Sequence, residues 1–201
     1  IAFKVDGEKT IVTVEKFNMP QKGIIRISKS GEIFFSAVET DSVYSLVFAD
    51  KNLAGATYEI TAAEDIITPD GTLRYAKDMV VDTVITDENS VAESKALYLG
   101  KYTVRETKAP YGMVLNGTPK TVELTYAGET VEVTETAAEF YNERQKAALS
   151  LAKILGRDET FDIGDNGEIL SVQFGLYAAE DLFAADGSFV PNNGLLEIAN
   201  C

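Results

Sequence analysis

The sequence predicts an all-β protein made of β-sandwich units in tandem. Three observations support this prediction: short runs rich in β-branched and aromatic residues, turn-forming residues between them, and an internal repeat. Many short strands separated by regular turns are typical of a two-sheet sandwich of the immunoglobulin type. The chain has 201 residues and 45% of them are hydrophobic, so it can build a core.

The predicted strands follow one another from residue 23 onward. Hydrophobic residues alternate along 23–29, as expected for a strand with one buried face. Further strands are predicted where β-branched and aromatic residues are frequent, at 43–48, 56–60, Val80–Ile85, 102–106, 121–126 and 130–133. Gly, Asn and Asp mark turns at 70–71, 87–89, 116–117, 127–128 and 186–187. The segment 90–99 is compatible with a short helix, but its β-rich surroundings favour strand or loop.

An internal repeat divides the chain into units. Glu15, Phe17, Asn18, Gln21, Lys22 and Lys29 match Glu139, Tyr141, Asn142, Gln145, Lys146 and Lys153, each 124 residues later. A second match links residues 58–71 with 174–187 at an offset of 116 residues. We therefore predict that 1–22 are the terminal strands of a preceding module, 23–146 a complete module, and 147–201 the truncated N-terminal part of a following one. Both chain ends are expected to be cuts through a longer protein.

Charge and hydropathy exclude several kinds of partner. The chain carries 32 acidic against 18 basic residues, a net charge of −14, and such a surface repels nucleic acid and anionic membranes. No apolar run is long enough to span a membrane, and no signal peptide or anchor is visible in this stretch. Cys201 is the single cysteine, so an intrachain disulfide is impossible.

No cofactor or metal is expected. The chain has no histidine, which removes the Ser-His-Asp triad, the Cys-His pair and the ordinary zinc site. Residues 162–167 faintly resemble a calcium loop, but Gly164 stands where a ligand belongs and Gln173 replaces the closing acid. We interpret that segment as a turn.

Strand alternation places Lys29, Glu106 and Asn142 on inward faces beside hydrophobic residues. Each alone has an ordinary explanation: a lysine extends its amine to water, a strand glutamate lies on the solvated face, and an asparagine caps a turn. Together they occupy the first, penultimate and last predicted strands of one unit. Unpaired charges at such positions would cost several kcal/mol of desolvation per ion, so the three together call for another explanation.

Residues 102–112 resemble the Glu-box of CnaB-type repeats, the SpaA-like, prealbumin-fold domains of Gram-positive surface proteins and pilins. The segments 25–29, 53–60 and 97–102 are similar to the family's opening strand, second strand and approach to the Glu-box. Met113 departs from the pattern, since an aromatic residue often follows the glycine. The resemblance covers the whole middle module and part of both flanks, and it implies a prealbumin-like sandwich.

The resemblance also implies an autocatalytic isopeptide bond. Lys29 would be the amine, Asn142 the carboxamide it attacks, and Glu106 the acid that polarises the carboxamide and moves protons as ammonia leaves. Burial lowers the pKa of a lysine and raises that of a glutamate, so a neutral amine and a neutral acid can coexist in a core. Lys153 and Asn18 are the equivalents in the flanking modules. Lys153 is expected to stay unlinked because its partners are absent, and Lys16 disturbs the inward pattern at Asn18.

Three function classes follow. The first is a structural stalk or spacer of a cell-wall-anchored adhesin or pilus-like protein outside the cell, whose partners are adjacent modules of the same polypeptide. The second is an adhesive module that binds a host protein or carbohydrate through the connections 30–41 or 66–77. The third is a carboxylate-based glycosidase, for which no pocket is recognisable. We expect no enzyme activity beyond the single-turnover bond formation.

Overall fold

The computed structural model describes residues 18–154, 156, 160–161 and 172–200. These residues are all-β, as predicted, and they include no helix that could cross a membrane. The strands are β1 (Lys22–Thr40), β2 (Val43–Asn52), β3 (Thr57–Ala62), β4 (Ile66–Ile67), β5 (Leu73–Tyr75), β6 (Val80–Ile85), β7 (Val91–Glu93), β8 (Leu97–Tyr98), β9 (Gly100–Lys108), β10 (Lys120–Leu124), β11 (Val133–Asn142), β12 (Gln173–Tyr177), β13 (Leu182–Phe183), β14 (Phe189–Val190) and β15 (Leu195–Asn200).

Two larger sheets form the sandwich. The first runs β11-β1-β2-β15-β12, and β7 and β8 also pair with β1. The second runs β10-β9-β3-β6, and β4-β5 and β13-β14 are separate two-stranded hairpins. Side chains from both sheets meet in one hydrophobic core that includes Ile25 and Ile27 of β1, Tyr58 of β3, and Tyr102 and Val104 of β9. The sandwich prediction is therefore confirmed.

Alternation explains why these segments form strands. In β1, Ile25 and Ile27 are fully buried while Arg26 between them is exposed, and β9 repeats the pattern with Tyr102 and Val104. Burying one such side chain stabilises the fold by roughly 1.5–3 kcal/mol. A slip of one residue would turn the hydrophobic face to solvent, so this pattern also sets the register.

The register brings both ends of the middle unit together. β1 and β11 are parallel neighbours, paired from Lys22 with Val133 to Gly31 with Asn142. On the second sheet, β3 and β9 are antiparallel and Tyr58 lies opposite Glu106. The first sheet therefore presents Lys29 and Asn142, and the second presents Glu106, at the same end of the core.

A hairpin continues from the first sheet past this end. β1 runs on to Thr40 and pairs with β2, with a register shift between Phe34 and Ser36. We call residues 32–52 the arm. The interpretation of 30–41 as a connection open for binding was wrong, because this segment pairs with β2 instead of forming a loop.

The base of the arm is fixed to the end of β11. The Tyr141 hydroxyl donates to the Asp50 carboxylate at 2.9 Å, and the Arg144 guanidinium lies 3.7 Å from the centre of the Phe48 ring. Arg144 also forms an ion pair of 2.7 Å with Glu32. A cation stacked on a ring, with a carboxylate beside it, holds the arm against the chain that leaves β11.

Other sequence predictions differ in detail from the structure. The segment 90–99 contains β7 and β8, which confirms strand over helix. The connection 66–77 contains the β4-β5 hairpin. The strand predicted at 130–133 begins only at Val133, because residues 129–130 form a turn. β10 lies between β9 and β11, so Glu106 is not on the penultimate strand of the unit.

Candidate functional site

The structure brings Lys29, Glu106 and Asn142 into direct contact inside the core. Each of the three is only 1% exposed. The Lys29 amine donates a hydrogen bond to Oδ1 of Asn142, and its Nζ lies 3.2 Å from Oε1 of Glu106. The Asn142 amide nitrogen donates to both oxygens of Glu106, at 3.2 and 3.0 Å. All three side chains point into the core, as the sequence predicted.

Neighbouring parallel strands aim the lysine and the asparagine at each other. Lys29 lies opposite Phe140, so Asn142 is two residues further along β11 and on the same face. Such diagonal pairs lie within reach of a long side chain. Gly31 lies opposite Asn142, and a Cβ added there would be 2.5 Å from the Asn142 carbonyl oxygen. Gly31 thus allows the close approach; a glycine inside a strand was the available signal, and it was missed.

Glu106 is held by groups that the sequence did not reveal. The Tyr58 hydroxyl is 3.5 Å from Oε1, and the backbone N–H of Asn116 donates to Oε2 at 3.0 Å. Asn116 belongs to the loop 109–119, which lies between β9 and β10. The backbone of this loop is bonded to the chain after β11, from Val114 to Glu143 and between Gln145 and Gly112, both at 2.8 Å. The loop therefore closes the end of the core over the carboxylate.

The surroundings of the cluster are apolar. The rings of Tyr58 and Phe140 pack with centroids 4.8 Å apart, and both residues belong to the buried core. Burial lowers the pKa of Lys29, and the nearby positive charge of Lys120 acts in the same direction, while Glu106 opposes it. Burial also raises the pKa of the Tyr58 hydroxyl, which keeps it a neutral hydrogen-bond donor.

This arrangement has the parts needed for amide exchange. A lysine with a lowered pKa loses its proton more readily, and a neutral amine is a nucleophile. The carboxyl group contacts both the attacking nitrogen and the nitrogen that would leave, so one group can move protons between them. Holding the reactants in contact within a rigid core removes the entropic cost of bringing them together.

The candidates in the flanks are placed differently. Asn18 is exposed and lies outside any strand. Lys153 is exposed too, and Leu149 and Leu151 beside it are mostly exposed. Residues 146–154 form no strand, and no partner strand lies beside them among the described residues. Lys16 and the segment 162–167 lie outside the described residues.

The described residues contain no group of three or more His, Cys, Asp or Glu side chains arranged to hold a metal ion. The described residues thus form a β-sandwich whose core holds a lysine, a glutamate and an asparagine in contact. Residues 49–138 match the sequence profile of the SpaA family, described as a prealbumin-like fold domain. The middle part of the chain is therefore similar to the SpaA family of prealbumin-like domains, which confirms the resemblance.

A comparison with solved structures found proteins of low similarity to this chain. They include a minor pilin of Streptococcus agalactiae (15% identity, TM-score 0.42), the major pilin SpaD of Corynebacterium diphtheriae (21%, 0.42) and the TIE protein of Bacillus anthracis (18%, 0.41). The alignments cover 66%, 64% and 90% of this chain, and 49%, 32% and 26% of those chains. The chain thus spans at most about half the length of these proteins. A comparison with curated proteins found no match.

Proposed function

We propose that this chain is part of the stalk of a pilus-like protein or adhesin, and that an isopeptide bond between Lys29 and Asn142 makes its middle unit rigid. The observation that carries the proposal is the buried contact of the Lys29 amine with the Asn142 carboxamide, with Glu106 against both. Left unlinked, such a cluster would destabilise the core, because buried charged groups carry a large desolvation penalty unless they are well paired. The match to the SpaA family supports the same conclusion.

The bond forms without any external reagent. The Lys29 nitrogen, whose pKa is lowered by burial, loses its proton and attacks Cγ of Asn142, and a new C–N bond forms while negative charge develops on Oδ1. Glu106, which contacts both nitrogens, takes a proton from the former lysine nitrogen and passes it to Nδ2. The bond from Cγ to Nδ2 breaks, the carbonyl forms again, one ammonia leaves, and Glu106 is back in its starting state. No electrons are transferred, and the chain acts once on itself.

A stalk role follows from where the bond lies. It joins the first and last strands of the middle unit, which are 113 residues apart at the linked side chains. An amide does not respond to the redox environment, unlike a disulfide, and the chain has a single cysteine. These properties suit an extracellular protein anchored to the cell wall through a region outside this stretch. Adjacent modules of the same polypeptide are then its partners, with units at 1–22, 23–146 and 147–201.

Intact mass measures the bond directly. We expect the folded chain to be one ammonia lighter than its sequence, and we expect Lys29→Ala and Glu106→Ala to have the full sequence mass. Lys101→Ala, at an exposed lysine, is the matched control and should keep the deficit. Digestion should give a branched peptide that joins residues 29 and 142. Full sequence mass in the unmodified chain would leave ordinary packing as the explanation of the cluster.

An adhesive role is a second candidate, favoured by one surface. Tyr111 is fully exposed at the tip of the loop 109–119, and Val114 and Leu115 beside it are about half exposed. Exposed apolar side chains in a loop are typical of contact surfaces. Binding of the chain to arrays of host matrix proteins and glycans, abolished by Tyr111→Ser with the mass deficit unchanged, would support adhesion. Absence of any loop-dependent binding would favour the spacer role.

A further inference from the structure

The C-terminal segment 172–200 holds the arm on both of its edges. On the β1 edge, Ala185 and Asp186 donate backbone hydrogen bonds to the carbonyls of Phe34 and Phe35, at 3.2 and 3.0 Å. The Ala37 N–H donates to the Ser188 hydroxyl at 2.7 Å. On the β2 edge, Leu195 at the start of β15 pairs in parallel with Val43. The arm-binding site of this segment is therefore the turn 184–188 together with the start of β15.

The middle unit contains the same turn, 116 residues earlier. In both, the first residue of the turn donates to the carbonyl of the fifth, the glycine donates back to the first, and an aspartate accepts from the N–H two residues on. The bonds are Thr68 to Thr72 (3.0 Å), Gly71 to Thr68 (2.8 Å) and Thr72 to Asp70 (3.2 Å), against Ala184 to Ser188 (2.8 Å), Gly187 to Ala184 (3.1 Å) and Ser188 to Asp186 (2.9 Å). Gly71 and Gly187 also share a positive φ, 80° and 89°.

The strand that follows is built in the same way. Asp78 and Asn193 both have a positive φ, 65° and 63°. Asp78 donates to the Ala62 carbonyl as Asn193 does to that of Ala178, both at 2.8 Å. In each case the N–H of that same alanine donates to the carbonyl of the next residue along, Met79 or Gly194. β6 and β15 then begin at Val80 and Leu195. Val80 is therefore the structural equivalent of Leu195, the residue that pairs with the arm.

Among the described residues, no hairpin lies on this surface of the middle unit. Residues 70–72 are exposed, and so are Ile67, Leu73 and Val80. β6 is an edge strand of the second sheet, and its outer edge pairs with no strand among the residues that the structure describes. Unpaired strand edges recruit further strands. Two departures exist: Pro69 stands where Ala185 donates an N–H, and Arg74 stands where Val190 is buried.

We propose that the turn 68–72 and the start of β6 are a docking site for a hairpin of the same kind as the arm, supplied by a preceding unit. Each unit would then hold the arm of the unit before it and extend its own arm to the unit after it. The proposal rests on the tandem-stalk part of the proposed function but not on the isopeptide bond. A preceding arm is the favoured occupant because the equivalent site in this chain holds an arm.

Disulfide trapping tests the proposal in the full chain with Cys201→Ser as background. The hydroxyls of Ser36 and Ser188 are 3.5 Å apart, so Ser36→Cys with Ser188→Cys should cross-link on mild oxidation and serve as the positive control. The probe is a backbone-cyclised peptide with the sequence of residues 32–52 and cysteine in place of Ser36. Thr72 is the equivalent of Ser188, so Thr72→Cys should trap this peptide.

The matched control is Thr121→Cys, an exposed position on β10 at the opposite edge of the second sheet. We expect Thr72→Cys to form the mixed disulfide roughly 10-fold faster than Thr121→Cys, and we expect the peptide to slow amide exchange at Val80. Equal trapping at the two positions, with no protection at Val80, overturns the proposal. The mass deficit is read in the same samples, so failure of docking and failure of the bond are told apart.

Discussion

Lys29 is the residue on which the proposed chemistry depends. Its amine is buried beside a carboxylate, and the two influences act in opposite directions on its pKa. Burial is the larger, so the pKa is lowered and the amine is neutral at a lower pH than an exposed lysine would be. In the proposed reaction the proton must be lost before the nitrogen attacks, so a lowered pKa would favour that reaction.

The first prediction concerns pH. When a denatured, unlinked chain is diluted into native buffer, the rate of ammonia loss should rise with pH and level off below 10.5, the ordinary lysine pKa. The sign follows from the lowered pKa: below it Lys29 is protonated and cannot attack, and above it no further amine is released. Mass spectrometry of quenched samples gives the rate. A rate that climbs steadily up to the ordinary lysine pKa would contradict this role of burial.

Gly31 gives a second prediction at the same scale. In Gly31→Ala the new Cβ would lie 2.5 Å from the Asn142 carbonyl oxygen and 2.6 Å from Leu53, so β1 and β11 must separate. We expect a loss of about 1–3 kcal/mol in the free energy of unfolding, from overpacking, and slower bond formation. Gly117→Ala is the control, because its Cβ meets nothing within 4 Å. Denaturant unfolding and intact mass measure the two effects, and equal behaviour of the two variants would count against the positioning role of Gly31.

At the scale of elements, the loop 109–119 acts through its backbone. Asn116→Pro removes the N–H that donates to Glu106, whereas Asn116→Ala keeps it and removes only side-chain contacts. A hydrogen bond to a charged group contributes about 1.5–3 kcal/mol, so the proline variant should form the isopeptide bond about tenfold more slowly or worse. The alanine variant should stay close to the unmodified rate. The time course of the mass deficit compares them, and similar rates would show that the loop does not support Glu106.

The alternation of hydrophobic and polar residues predicted the strands that build the site. It did not predict the second half of β1, where the strand extends beyond the core. Residues 23–29 have a clear two-residue period, so the inward direction of Lys29 was evident from the sequence. The second half of β1 was missed, because its partners are β2 and a segment some 150 residues away, and the Phe34–Ser36 shift breaks the period. Lys153 shows the reverse case. Its local pattern is that of a strand, but no partner strand lies beside it in the described structure.

The site was predictable only in part. The three side chains could be named because polar residues on inward strand faces are unusual and the Glu-box resemblance assigns their order. The Asn116 N–H could not, since a backbone N–H carries no chemical signature in a sequence, and Gly31 was missed although a glycine inside a strand was a signal. The position of Glu106 opposite Tyr58 is likewise a consequence of sheet register, which arises from packing across the whole unit.

For the whole molecule, the cross-link should set the stability. A link closing 113 residues restricts the unfolded chain by roughly 4–5 kcal/mol, by analogy with disulfide loops. The unmodified chain should therefore unfold at higher denaturant than Asn142→Ala, with part of the difference due to lost side-chain contacts. Asn116→Ala, which keeps the bond, is the reference. If the linked and unlinked chains unfold at the same denaturant concentration, the link adds nothing to stability.

Single-molecule pulling gives a separate prediction. When the chain is held before residue 22 and after residue 146, the unlinked Lys29→Ala variant should lengthen by about 380 Å more than the linked chain, which is 113 residues at ~3.4 Å each. The linked chain withholds that length because the bond bypasses it. Equal extension of the two would contradict a covalent link between the terminal strands.

The parallel pairing of β1 with β11 determines which residues bear tension. With the proposed bond in place, force entering at Lys22 would travel along β1 only as far as Lys29, cross to Asn142 and leave the unit. Everything from residue 30 to residue 141 would lie outside that tensile path. Insertions there would then leave the tensile strength unchanged, so a stalk of this kind could carry a protrusion as long as the arm.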